Sequence, residues 1–220
     1  MCASYHLNTD APSLQKHINV ILPEQFTFAK YVLPHAQAPV IVMHEADIVL
    51  KMMKFSLLPG WSKESKVKFA THNARLESID TKPTWKVPFK KNHCLIPISD
   101  FVEPIYENEF AGNMVRFSEK ADQLLLAAGI FDVWVDKETG ETIESFSIIT
   151  HDPPDFIMSI GHDRCPLFLP QSRYESWLGS ATMSSEERKQ FLLDSRAEIS
   201  FKVEKERPLK EGWQKRIPKE

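Results

Sequence analysis

Short apolar runs broken by proline, glycine and charged clusters dominate this chain, and no long 3.6-residue periodicity runs through it. Ala38-Pro39-Val40-Ile41-Val42-Met43 is apolar and β-branched and predicts a strand. Ile48 to Leu58 predicts a second, longer one that ends at the Pro59-Gly60 turn, with Trp61 just beyond it. Cys94-Leu95-Ile96-Pro97-Ile98 predicts a short strand. Met114 to Phe117 is expected to turn through Ser118-Glu119-Lys120 into Leu124 to Val135, and Asp136 to Gly140 to turn that strand into Thr142 to Thr150. The middle of the chain is therefore β-rich.

Helical signals are fewer. Thr71-His72-Asn73-Ala74-Arg75-Leu76-Glu77 is a polar segment suited to opening a helix, and Ser184 with Glu187 forms a capping box ahead of Phe191, Leu192 and Leu193, which places a helix at Ser184 to Asp194. The stretch through Lys30 has few periodic positions and is expected to wrap the body. Residues 82–92 interleave Lys82, Lys86, Lys90 and Lys91 with Pro83, Trp85, Pro88 and Phe89. They read as a basic, aromatic loop, equally a surface for phosphates and bases or a solvated loop with buried rings. From about residue 203 the chain is highly charged and is expected to be loose.

Composition narrows the class. With 220 residues, 42% hydrophobic and 26% charged, the chain suits one globular domain. Fifteen prolines against seven glycines argue for fixed turns and extended segments over a helical bundle. Cys2, Cys94 and Cys165 are odd in number and lack framework spacing, so free thiols in a reducing compartment are expected. No apolar run reaches the length of a membrane span, which points to a cytoplasmic protein, nucleoid-associated if bacterial. A net charge of −3 makes any nucleic-acid binding the work of a local patch.

Cys2 is the residue with the most distinctive chemistry. Removal of Met1 would leave an α-amine and a thiol on one residue, groups that titrate near about 7.7–8.0 and about 8.5. Asn73 with Arg75, Glu103, and His162 with Arg164 are further candidates. Each has an ordinary reading alone: a helix cap, a surface carboxylate, a loop histidine, structural ion pairs. The spacing of His162 and Cys165 lacks a second pair for zinc, so neither a metal nor another cofactor is called for.

Taken together and in order, these residues resemble the SOS-response-associated peptidase (SRAP) family, whose members shield abasic sites in single-stranded DNA by covalent attachment through an amino-terminal cysteine. The carriers are Met1-Cys2, Leu33-Pro34 before the first strand, Leu57-Leu58-Pro59-Gly60-Trp61, Asn73-Ala74-Arg75-Leu76-Glu77, Cys94-Leu95-Ile96-Pro97, Phe101-Val102-Glu103, His162-Asp163-Arg164-Cys165-Pro166 and Trp177-Leu178. They are collinear over roughly residues 1–180. Departures mark a divergent member: Ser4 where arginine is usual, Phe55-Ser56 for Trp-Gly, Asp100 for glycine, Pro104 for an aromatic residue and Cys165 for methionine.

The resemblance implies an α+β single domain with a β-rich, barrel-like core and peripheral helices. It implies self-processing at Met1 and then a thiazolidine crosslink between Cys2 and the abasic aldehyde. Asn73 would position the terminal amine, Glu103 would act as acid and base, and His162 would handle the proton of the sugar oxygen. Arg75 and Arg164 would hold phosphates, and Pro34 and Trp61 would offer an apolar surface to a base. The expected partner is single-stranded DNA carrying abasic sites, met by a monomer with no membrane involved. Two other readings stand beside this one: an N-terminal-nucleophile hydrolase or glutamine amidotransferase, which also uses a terminal cysteine, and a single-stranded DNA-binding module without covalent chemistry.

Overall fold

The computed structural model describes residues 4–24, 27 and 29–216; Met1 and Cys2 lie outside them. The described residues begin with strand β1 (Ser4–His6) and helix α1 (Ala11–His17), whose first turn is capped by the Asp10 carboxylate accepting from the Ser13 N–H at 2.8 Å. Strands β2 (Tyr31–Val32), β3 (Gln37–His44) and β4 (Asp47–Phe55) follow, then β5 (Asn73–Arg75) and helix α2 (Pro83–Lys91). The central part holds β6 (His93–Ile98), β7 (Asp100–Ile105), β8 (Asn113–Glu119), β9 (Leu125–Val135) and β10 (Thr142–His151). Helix α3 (Asp155–Ile160), strand β11 (Cys165–Pro166), helices α4 (Tyr174–Leu178) and α5 (Ser185–Asp194) and strand β12 (Phe201–Pro208) complete it.

Five strands form a ring. β3 pairs β4, β4 pairs β10, β10 pairs β9, β9 pairs β6 and β6 returns to β3, which closes a barrel. Each of the five strands thus has a partner on both sides. β3 and β6 are buried on both faces, and their side chains alternate between two cores. Val40, Val42 and Ile96 belong to one, with Phe55 and Phe146; Ile41 and Leu95 belong to the other, with Phe89 and Trp177 from the helices. Burial on both faces is why these strands read as unbroken apolar runs rather than alternating ones. A second sheet, in the order β12-β8-β7-β1-β2, packs Tyr5, Phe101, Phe117 and Phe201 into the first core. The fold is thus the expected mixed α+β class, with a barrel core and peripheral helices.

Several local expectations are corrected. Asn73 to Arg75 form a strand instead of opening a helix, because they pair in parallel with Ile148 to Thr150 of β10; only a single 3-10 turn, Leu76–Ser78, follows. Residues 82–92 form helix α2 instead of a loop. Pro83 sits at its start, where the missing N–H costs nothing, and Pro88 and Phe89 turn inward while Lys82, Lys86 and Lys90 stay exposed. β8 and β9 make no hairpin: the Glu119 carboxylate accepts from the N–H groups of Ala121 and Gln123 at 2.7 and 3.2 Å, turning the chain out of one sheet and into the other. The charged stretch expected to be loose pairs with β8 as β12, anchored by buried Phe201 and by the Arg116–Glu204 ion pair at 2.7 Å. Its charge suits an edge strand, which must repel further pairing.

Ser56 carries a cost. It stands just past the end of β4 with φ of 101°, a conformation that glycine adopts freely and L side chains resist, and its buried hydroxyl has no hydrogen-bond partner among the described residues. Strain of about 1–3 kcal/mol and an unsatisfied hydroxyl together outweigh the extra chain entropy of glycine, about 0.5–1 kcal/mol. Ser56→Gly is therefore expected to stabilise the protein by about 1 kcal/mol or more and to raise its melting temperature by about 3 °C. A melting temperature at or below that of the wild type would show that the strain is compensated.

Candidate active site

β10 is the organiser. Its first part pairs with β9, and near its end β5 runs beside it in parallel while β11 pairs with its last two residues, Thr150 and His151. This gathers the Asn73-Ala74-Arg75 and His162-Asp163-Arg164 segments at one end of the barrel. Asn73 and Arg75 are two apart on a strand and share a face. Asn73 is buried at its start and Arg75 is exposed at its end.

Glu103 comes from the second sheet. On β7 it shares a face with Phe101 and Ile105, and all three are fully buried. A carboxylate in such surroundings is costly without polar company, which makes it a functional candidate in its own right. His162 provides that company: its Nε2 lies 3.4 Å from Glu103 Oε2. The other ring nitrogen, Nδ1, lies 2.9 Å from the Arg164 carbonyl and 3.2 Å from the Arg164 N–H. Either tautomer therefore keeps a backbone partner.

Ser4, the first described residue, pairs with Val102, so it stands one register position from Glu103. Ser4 is itself buried, and its hydroxyl lies 2.8 Å from the Tyr31 hydroxyl. Tyr31 stacks on His6 with ring centroids 4.6 Å apart, and His6 is hydrogen-bonded to Asp100. Burial raises the Asp100 pKa, against the pull of His6. Two of the departures noted in the sequence, Ser4 and Asp100, thus belong to one network that fastens β1.

The remaining predicted residues separate. Arg164 is buried, and its guanidinium forks onto Glu77 at 2.6 and 3.0 Å, with further bonds to the Thr150 carbonyl at 3.0 Å and to Asp152 at 3.2 Å. Burial pushes the Glu77 carboxyl upward, but the hydrogen bond from Arg164 leads the opposing effects and the net shift is downward. Trp61 is exposed on its turn, and its indole N–H donates to the Pro83 carbonyl at 3.1 Å. Pro34 is half-buried just after β2. Cys2 lies outside the described residues.

Two further residues that act with Glu103 were not among the candidate site residues. Half-buried His72 packs edge-on against Phe55 at 5.8 Å; burial lowers its pKa, and the nearby Glu103 charge works against that shift. Buried Cys165 also feels Glu103, and its thiol is pushed well up by burial and by that charge. The available signal for His72 was its place directly before Asn73; for Cys165, its place directly after Arg164.

A model of the SOS response associated peptidase (SRAP) family matches residues 1–206. The chain belongs to that family. The match runs past residue 180, where the visible motifs stop, and takes in most of β12. Among SRAP relatives, abasic site processing protein YoqW of Bacillus subtilis (strain 168) is 27% identical over 181 residues, covering 81% of this chain and 80% of its own. Abasic site processing protein HMCES of Gallus gallus is 30% identical over 186 residues, 70% of this chain and 54% of its own. Among solved structures, a protein from Bordetella bronchiseptica superposes with a TM-score of 0.77 at 21% identity, covering 95% of this chain and all of that one. A Bacteroides thetaiotaomicron protein gives 0.70 at 26%, covering 87% and 86%.

Proposed function

We propose that this SRAP protein captures abasic sites in single-stranded DNA through Cys2, after removal of Met1. The observation that carries this reading is the fully buried Glu103 with His162 at 3.4 Å, one register position from the amino-terminal strand. An acid–base pair placed there suits chemistry at a chain terminus. The naming of the relatives as abasic site processing proteins supports the same substrate.

Hydrolysis of the Met1–Cys2 bond frees the amine. The amine adds to the open-chain aldehyde of the abasic sugar, the carbinolamine loses water to give an imine, and the Cys2 thiolate adds to the imine carbon to close a five-membered thiazolidine. Glu103 takes and returns the protons of the amine and the departing water, and His162 serves the sugar oxygen as the furanose ring opens. Asn73 orients the amine. Ring closure is intramolecular and gains from high effective molarity.

Arg75 contacts phosphate from the exposed end of β5, and Trp61 with Pro34 meets a base. Arg164 contributes to DNA binding by holding Glu77 and the β5 segment in place beneath Arg75. The test is incubation with single-stranded DNA bearing one abasic site, read on a denaturing gel. A heat-stable adduct with that strand and none with the intact strand is expected, along with an intact mass lacking Met1. Ammonia release from glutamine with no adduct would overturn the proposal.

A further inference from the structure

A cavity of about 310 Å³ opens beside this site, lined by His35, Lys54, Ser56, Leu58, Lys66 and Val67 among others. Its wall is sorted by chemistry. Leu58 and Val67 give it an aliphatic side, Lys54 and Lys66 a cationic one with the His35 imidazole, and no carboxylate lines it. Among the described residues neither lysine is ion-paired, whereas nearby Lys51 is held by Glu144 at 2.9 Å. The volume is at the small end of ligand pockets, which favours one nucleotide-sized occupant.

The backbone is distorted on two sides of this cavity. His35 has φ of 75° and Ser56 φ of 101°, and the segments that carry them are tied by the Phe55 carbonyl accepting from the His35 N–H and by the Ala36 carbonyl accepting from the Phe55 N–H. Non-glycine residues hold such conformations only where surrounding structure enforces them. The cavity also has a defined address. Leu57, on its wall, donates its N–H to the Thr71 carbonyl at 3.3 Å, and Phe55, next to Ser56, packs edge-on against His72, the residue before Asn73. On the other side, Leu58 leads through Pro59 and Gly60 to exposed Trp61.

We infer that this cavity is a nucleotide subsite of the DNA path, in which the base of a nucleotide flanking the lesion rests on Leu58 and Val67 and its phosphates are held by Lys54, Lys66 and His35. The inference rests on the reading of the chain as a binder of abasic single-stranded DNA. The aliphatic surface of Leu58 and Val67 makes no distinction between bases, as a lesion binder requires. The lysines would fix the strand by charge.

The test measures affinity for a lesion-free single strand by fluorescence anisotropy across a salt series, so that it does not depend on crosslinking. The double variant Lys54→Gln/Lys66→Gln is expected to bind about tenfold more weakly, and its slope of log affinity against log salt should fall by about 0.7 for each phosphate that is no longer neutralised. Lys120→Gln/Lys137→Gln, which removes the same charge elsewhere, should leave both unchanged. Val67→Ser should weaken binding of the ordinary strand and leave unchanged the binding of a strand whose bases are replaced by baseless spacers. Affinity and salt slope unaltered in the Lys54/Lys66 variant, or an equal loss in the control, would overturn the subsite, as would displacement of the strand by micromolar free deoxynucleotide. If the wild type binds but never crosslinks, the proposed function fails while the affinity comparison still decides the pocket.

Discussion

Cys2→Ala is expected to abolish the heat-stable adduct with abasic single-stranded DNA, and Glu103→Gln to slow its formation by about 10²-fold or more. The two losses have different origins. Without the thiol the amine still forms an imine, but an imine hydrolyses on heating, and the ring closure that makes the product persist has no second nucleophile. Without the Glu103 carboxylate both nucleophiles remain, so the adduct still forms, but the protons of the amine and the departing water lose their carrier. Glutamine matches glutamate in shape, and Glu103 is fully buried on the core face of β7 between Phe101 and Ile105, so the exchange removes a buried charge and leaves the packing. Timed gels at saturating DNA give the rate, and anisotropy on lesion-free strand gives the affinity. An unchanged rate for Glu103→Gln would remove Glu103 from the chemistry, and a heat-stable adduct surviving in Cys2→Ala would remove the thiazolidine.

The parts of this site legible in the sequence were those where chemistry and local pattern coincide. Asn73 and Arg75 stand two apart, and on a strand that spacing puts both on one face; the segment's polarity suggested a helix, and its parallel pairing with β10 is a long-range fact that no local propensity carries. The same limit hid β12, whose run of charges reads as solvent-exposed tail until buried Phe201 and its partner β8 are in place. α2 was hidden by its two prolines, although one occupies the first turn, where proline is tolerated. Strands β3 and β6 were read directly, because burial on both faces writes itself as an uninterrupted apolar run. Arg164 shows the reverse case. Its residue type suited a phosphate, and its fork is instead directed at Glu77, which only the juxtaposition of β5 with the His162–Arg164 loop reveals.

Stability is expected to fall steeply as pH drops from about 6.5 to about 4, on account of two buried histidines. His93 is almost wholly enclosed, with its Nε2–H donating to the Phe89 carbonyl at 2.8 Å and its ring 4.6 Å from that of Trp177. Burial holds its pKa down at about 4, and the neighbouring Arg188 acts in the same direction. His151, at the end of β10, is also held at about 4 by burial, with Arg196 and Arg164 adding to it. In the unfolded chain each titrates near about 6.5. Below that pH the unfolded state takes up protons that the native state refuses, so stability is full above about 6.5 and is lost until the native histidines protonate near about 4. The gap between about 6.5 and about 4 is worth about 3 kcal/mol per histidine. Two such losses are comparable with the whole stability of many domains, about 5–15 kcal/mol. Glu77, held low through Arg164, adds to the acid lability at still lower pH, while Asp100, held high by burial, opposes it. Urea midpoints measured from pH 8 to pH 4.5 should fall throughout the lower part of that range. His93→Gln, whose amide can still donate towards the Phe89 carbonyl, should flatten the fall by its share. A midpoint that stays level between pH 7 and pH 4.5 would mean that these imidazoles take up protons in the native state as readily as in the unfolded one.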